Sequence, residues 1–167
     1  MKLMNEEEAS HILGCADVNS FFTSGLYRPE SKMWQFRLPR EASRQTILAK
    51  YLATLFCSEN RCWLQIPYWH DSSIANEDLF YGYRSGRGDA RCLQDVSIYK
   101  FAPEDSEQFT SIVSMVLYFS WDARVFDAGG TFFINISHDE IIDCVVSSRA
   151  SLELLVSEFA RLEMRRL

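Results

Sequence analysis

The sequence predicts a single α+β domain, a mostly antiparallel sheet of four to six strands with helices packed on one face. Three observations predict it. The chain has 167 residues, a common size for one domain. Residues 117–146 alternate apolar and polar side chains across two tight turns, too short for the crossover that parallel strands need. Helical apolar patterns at 41–57 and near the C-terminus supply faces to cover such a sheet. At 47% hydrophobic and 24% charged, the composition excludes a disordered or fibrous chain.

Taken in order, residues 5–13 read as a short helix. Residues 14–39 read as irregular, punctuated by Gly14, Gly25, Pro29 and Pro39 and anchored by Phe21, Phe22, Trp34 and Phe36. Ile47, Leu48, Tyr51, Leu52, Leu55 and Phe56 recur at helical spacing, predicting a helix over 41–57. Residues 61–69 read as a buried strand, which Pro67 ends or places at an edge. No period emerges over 71–91. Alternation over 93–101 predicts another strand.

Pro103, with Glu104, Asp105 and Glu107 behind it, opens a helix. Proline there forfeits no hydrogen bond, and the carboxylates face the positive end of the dipole. Phe109, Ile112, Val113 and Val116 form its buried stripe. Residues 117–126, 131–137 and 141–146 then read as three consecutive strands. The first turn, 127–130, contains two glycines that take positive φ at little cost; the second is 137–140. Leu152, Leu155, Val156, Phe159 and Leu162 mark a closing amphipathic helix. The expected core includes Phe119, Trp121, Phe132, Ile134, Leu155 and Phe159.

The formal net charge is −6. An acidic balance disfavours nucleic acid and anionic membrane as direct partners, since both reward basic patches. The acidity is concentrated: from Asp95 to Asp143, nine carboxylates face only Lys100 and Arg124, a net −7. The five cysteines form no CxxC pair, so neither a zinc ribbon nor a redox motif is indicated. The N-terminal residues lack the basic and apolar regions of a signal peptide. No apolar run approaches the ~20 residues of a membrane span, so a cytoplasmic protein is expected.

No complete catalytic motif is present, and no cofactor or metal is expected. His138-Asp139 invites comparison with metal-dependent phosphohydrolases, but it falls in a turn between predicted strands where those enzymes use helices. Cys62 with His70, or Cys15 with His11, offers a thiol and a base, but spacing alone does not show that they meet, and Cys62 in an apolar strand reads as a buried structural thiol. Residues 81–91 hold Tyr81, Tyr83, Arg84, Arg87 and Arg91 among three glycines, a composition suited to phosphate or single-stranded RNA. They lack the Walker and Rossmann spacings and read as a mobile surface loop, its arginines available to the acidic region.

A Trp-Asp strand (Tyr118-Phe119-Ser120-Trp121-Asp122-Ala123-Arg124-Val125-Phe126), a glycine turn and a strand ending Ser137-His138-Asp139-Glu140 resemble small immunity proteins of bacterial polymorphic or contact-delivered toxin systems. The resemblance spans 117–146. It implies a non-enzymatic cytoplasmic protein that binds and neutralises a cognate, basic protein toxin, a nuclease among the candidates. An acidic surface speeds such an encounter, and aromatics beside carboxylates supply anchors. The expected contact residues are Tyr118, Asp122, Arg124, Asp127, His138, Asp139 and Glu140, with Tyr81, Tyr83, Arg84 and Arg87 as a second set. The rivals are a small hydrolase using His138 and Asp139, and a generic protein-interaction domain.

Overall fold

A computed structural model describes residues 2–4, 33–57, 62–66, 74–92, 98–127, 132–146 and 148–167. Among these residues seven strands are present: β1 (Lys2–Met4), β2 (Met33–Arg37), β3 (Cys62–Gln65), β4 (Ile98–Phe101), β5 (Ala123–Asp127), β6 (Phe132–Ser137) and β7 (Ile141–Val146). Four α-helices accompany them among the described residues: α1 (Ala42–Cys57), α2 (Ile74–Ser85), α3 (Ser106–Tyr118) and α4 (Arg149–Arg161). The strands form one sheet in the order β1-β4-β3-β5-β6-β7-β2, every neighbouring pair antiparallel. The α+β class therefore holds, the three-residue β1 extending the expected four to six strands to seven.

Alternation divides the sheet into two faces. Phe36, Leu64, Tyr99, Phe101, Val125, Ile134, Ile142 and Cys144 point into one core, where all four helices contribute side chains, among them Leu52, Phe80, Phe109 and Phe159. Edge-to-face ring pairs tie helices to strands: Phe159 meets Phe36 at 5.0 Å and Phe101 meets Phe109 at 5.2 Å. On the opposite face, Trp63 stacks on Phe126 at 5.6 Å, in register across β3 and β5.

Beside that stack a polar row crosses five strands. Gln65, Arg124, Asn135, Asp143 and Gln35 stand in mutual register. Asn135 Nδ2 donates to Asp143 at 3.0 Å, and Gln35 Nε2 donates to the same carboxylate at 2.9 Å. A slip of one residue would turn this row into the apolar core, so it pins the alignment of β5, β6, β7 and β2.

The outer edge of β2 is covered by the C-terminal residues. Arg37 N–H donates to the Arg165 carbonyl at 2.8 Å and Leu167 N–H to the Gln35 carbonyl at 3.0 Å. The Arg166 guanidinium lies 3.7 Å from the centre of the Trp34 ring. An otherwise open ladder is thereby closed to other chains.

Three expectations are corrected. Residues 33–37, read as irregular, form β2, with Trp34 and Phe36 facing the helices. Residues 74–85 form α2, so residues 81–85 are helical. Residues 117–118 end α3 and the strand begins only at Ala123. Phe119 and Phe132 are half-buried, while Trp121, Ile134, Leu155 and Phe159 are buried as expected. The expected helix over 5–13, the anchors Phe21 and Phe22, residues 93–97 and the glycine turn at 128–130 lie outside the described residues.

Candidate functional site

Two chain reversals build the site. At the end of α3, Trp121 N–H donates to the Val116 carbonyl at 3.0 Å while Ser120 adopts a φ of 53°. This is a Schellman stop, which turns the chain sharply and sends Asp122 towards β5. Between β6 and β7, Glu140 N–H donates to the Ser137 carbonyl at 3.1 Å and Glu140 takes a φ of 61°. A turn followed by one left-handed residue is the usual three-residue hairpin loop. It presents His138 and Asp139 to solvent.

Asp122 joins the two reversals. Its Oδ1 accepts the His138 backbone N–H at 2.8 Å and lies 3.0 Å from Nδ1 of the same imidazole. The ring is thereby oriented, with Nε2 3.7 Å from Asp139 Oδ1. Glu140 turns the other way and pairs with Arg40 at 3.2 Å and Arg37 at 3.9 Å. A cavity of about 290 Å³ opens beside the Arg40–Glu140 pair, lined by Pro39, Arg40, Gln45, Ser120, Ser137 and Glu140. Arg37, Arg40 and Ser120 were not anticipated from the sequence. The two-residue period of Trp34-Gln35-Phe36-Arg37 was the available signal for Arg37.

The aromatics form one continuous run. Tyr118, 66% exposed, meets Phe119 edge-on at 5.3 Å. Phe119 contacts Trp121 at 5.2 Å, Trp121 contacts Phe80 at 5.6 Å, and Phe80 stacks with Tyr83 at 6.4 Å. The Arg87 guanidinium caps the far end, 3.8 Å from the Tyr83 ring centre. The two sets of candidate residues are thus linked by ring contacts from α2 to the end of α3.

Not every expected contact residue joins this surface. Asp127 is buried at the far end of β5, where its carboxylate accepts the Phe132 N–H at 2.7 Å. It faces inward because it shares parity with Ala123 and Val125. Arg124 is half-buried in the polar row on the opposite sheet face, 3.5 Å from Gln65 Oε1. Arg84 is fully buried, its guanidinium donating to the Tyr99 hydroxyl and to the Arg91 carbonyl.

Residues 86–91 fold back on α2 rather than projecting from it. The Tyr81 hydroxyl donates to the Ala90 carbonyl at 3.2 Å. Asp89 takes Arg91 in a two-pronged pair at 2.9 and 3.1 Å. The Arg91 hydrogen bond holds the Asp89 carboxyl below its ordinary range, with help from the buried Arg84 charge.

The acidic stretch does not form one surface. Glu104 lies in the short 3-10 turn 103–105 before α3 and Glu107 in the first turn of α3, Asp143 in the polar row, and Asp122, Asp139 and Glu140 around the β6–β7 turn. Among the described residues, no group of three or more His, Cys, Asp or Glu side chains is arranged to hold a metal ion. Nor is any helix there long and apolar enough to cross a membrane. No family model, curated protein or solved structure matches the chain.

Proposed function

We propose that this chain is a non-enzymatic, cytoplasmic immunity or inhibitor protein that binds and neutralises a cognate bacterial protein toxin. One observation carries the reading: an aromatic run reaches the surface at Tyr118, and four residues further on Asp122 holds the exposed His138, with Asp139 beside the ring. Aromatic anchors bounded by charge are the usual energetic centre of a protein interface, and carboxylates at the rim favour a basic partner. The proposed contact residues are Tyr118, Asp122, His138, Asp139 and Glu140, with Tyr81, Tyr83 and Arg87 as a second set.

A second reading has its own observation. Asp122 orients the His138 imidazole as a carboxylate orients a general base, which suits a small hydrolase. Binding kinetics against the cognate toxin separate the two. Asp139→Lys should slow association and flatten its salt dependence, and Tyr118→Ala should speed dissociation about tenfold or more. His138→Ala should at most weaken binding. If Tyr118→Ala and Asp139→Lys both bind and protect like the parent, this surface is not the interface. Loss of a hydrolytic turnover in His138→Ala would establish the enzyme instead.

A further inference from the structure

The last residue of α1 and the first of β3 bring two thiols together. Cys57 Sγ lies 3.5 Å from Cys62 Sγ, a hydrogen-bonding distance between reduced sulfurs, and both residues are buried. Cys57 also forms part of the wall of an open groove of about 700 Å³ between α1 and α3, with Lys50, Thr54, Pro103 and Thr110 around it. Cys57 therefore borders a solvent-connected space, while Cys62 is fully buried next to it. We propose that Cys57 and Cys62 form an oxidant-reactive pair that closes to an intramolecular disulfide, with Cys57 the attacking thiol and Cys62 the resolving one.

The electrostatics support that division. The hydrogen bond from Cys62 lowers the Cys57 thiol below its ordinary range, against the opposing effects of burial and of Asp105. The same bond and deeper burial push the Cys62 thiol up. Thiolate character is what selects the attacking sulfur.

With hydrogen peroxide the steps balance. The Cys57 thiolate attacks one peroxide oxygen; the S–O bond forms, the O–O bond breaks and hydroxide departs to become water. Cys62 then loses its proton as its sulfur attacks Cys57; the S–S bond forms, the S–O bond breaks and a second water leaves. Two thiols are oxidised by two electrons, and peroxide is reduced to two waters.

The sequence favours a direct test, because Arg61 lies between the two cysteines. Trypsin cleavage there places Cys57 in the peptide 51–61 and Cys62 in the peptide 62–84. The whole protein is treated with peroxide at an excess sufficient to oxidise the exposed Cys92, then alkylated under denaturing conditions and digested. A linked 51–61/62–84 species accounting for most of Cys57 is the expected result. Full alkylation of both cysteines would overturn the proposal. In Cys62→Ser a sulfenic-acid probe should label Cys57, and in Cys57→Ser it should leave Cys62 unlabelled. The reverse pattern would refute the assigned order.

Discussion

Asp122 precedes β5 and Asp127 ends it, and the two do unlike things. Asp127 closes the β5–β6 connection from a buried position, its carboxylate on the Phe132 N–H. Asp127→Ala leaves that donor without its acceptor and should cost about 1–3 kcal/mol, read from urea unfolding. Their exposure follows from position, Asp127 on the inward parity of β5 and Asp122 before the strand begins. Alternation alone showed the parity but not where the strand began, so both acids were read as surface.

Two tyrosines set an alkaline limit. Burial pushes the Tyr99 hydroxyl up to about 12, Arg84 opposing, and burial pushes Tyr51 up to about 12 with help from the Glu158 charge. A phenol whose folded pKa exceeds its unfolded value, near 10, favours the folded state fully below pH ~10. That contribution is lost as the pH climbs towards 12. Unfolding free energy should therefore fall between pH ~10 and 12, and Tyr51→Phe with Tyr99→Phe should flatten the fall. An identical alkaline slope in the double variant would contradict this account.

Helix ends carry much of the element-scale information. Ser120 occupies the left-handed position of the α3 stop, where glycine is unstrained. Ser120→Gly should stabilise the protein by about 0.5–1 kcal/mol, and a lowered melting temperature would refute the strain argument. The α4 end repeats the motif: Met164 N–H donates to the Phe159 carbonyl at 2.9 Å and Glu163 has a φ of 56°.

Phe159 also docks α4, wedged between Phe36 at 5.0 Å and Tyr51 at 6.3 Å. Phe159→Ala should cost about 3–5 kcal/mol, and unchanged thermal stability would mean that α4 is not held there. Helices α1, α3 and α4 and strands β6 and β7 were legible because their periods are sustained between clear breakers. Residues 117–122 were not, because Leu117, Phe119 and Trp121 satisfy a strand period while Val113, Val116 and Leu117 satisfy a helical one. Helix α2 was missed for a related reason. Gly82 breaks its apolar pattern, and Leu79 and Tyr81 face solvent while Phe80 and Arg84 are deeply buried.

At the scale of the whole molecule, the −7 stretch is dispersed over both ends and both faces of the sheet. Charge effects on a partner should accordingly be local. Glu104→Lys, exposed near the start of α3, should leave the association rate with the proposed toxin unchanged, whereas Asp139→Lys should reduce it several-fold. Equal slowing by both would point to a diffuse field of the whole protein. The sequence made the amount of acidic charge plain, but its distribution depended on a fold that separates chain neighbours.

Strand β2 has a further consequence, one of timing. Gln35 meets Asp143, 108 residues later, and its other edge is covered by residues 165–167. At synthesis rates of about 5–20 residues per second, β2 leaves the ribosome roughly 5–25 s before both of its neighbours exist. Pairings this distant along the chain also close slowly. Throughout that interval Trp34 and Phe36 have an apolar face and no sheet to join. The nascent chain thus carries a sticky segment early in translation, where a holding chaperone would have the most to protect.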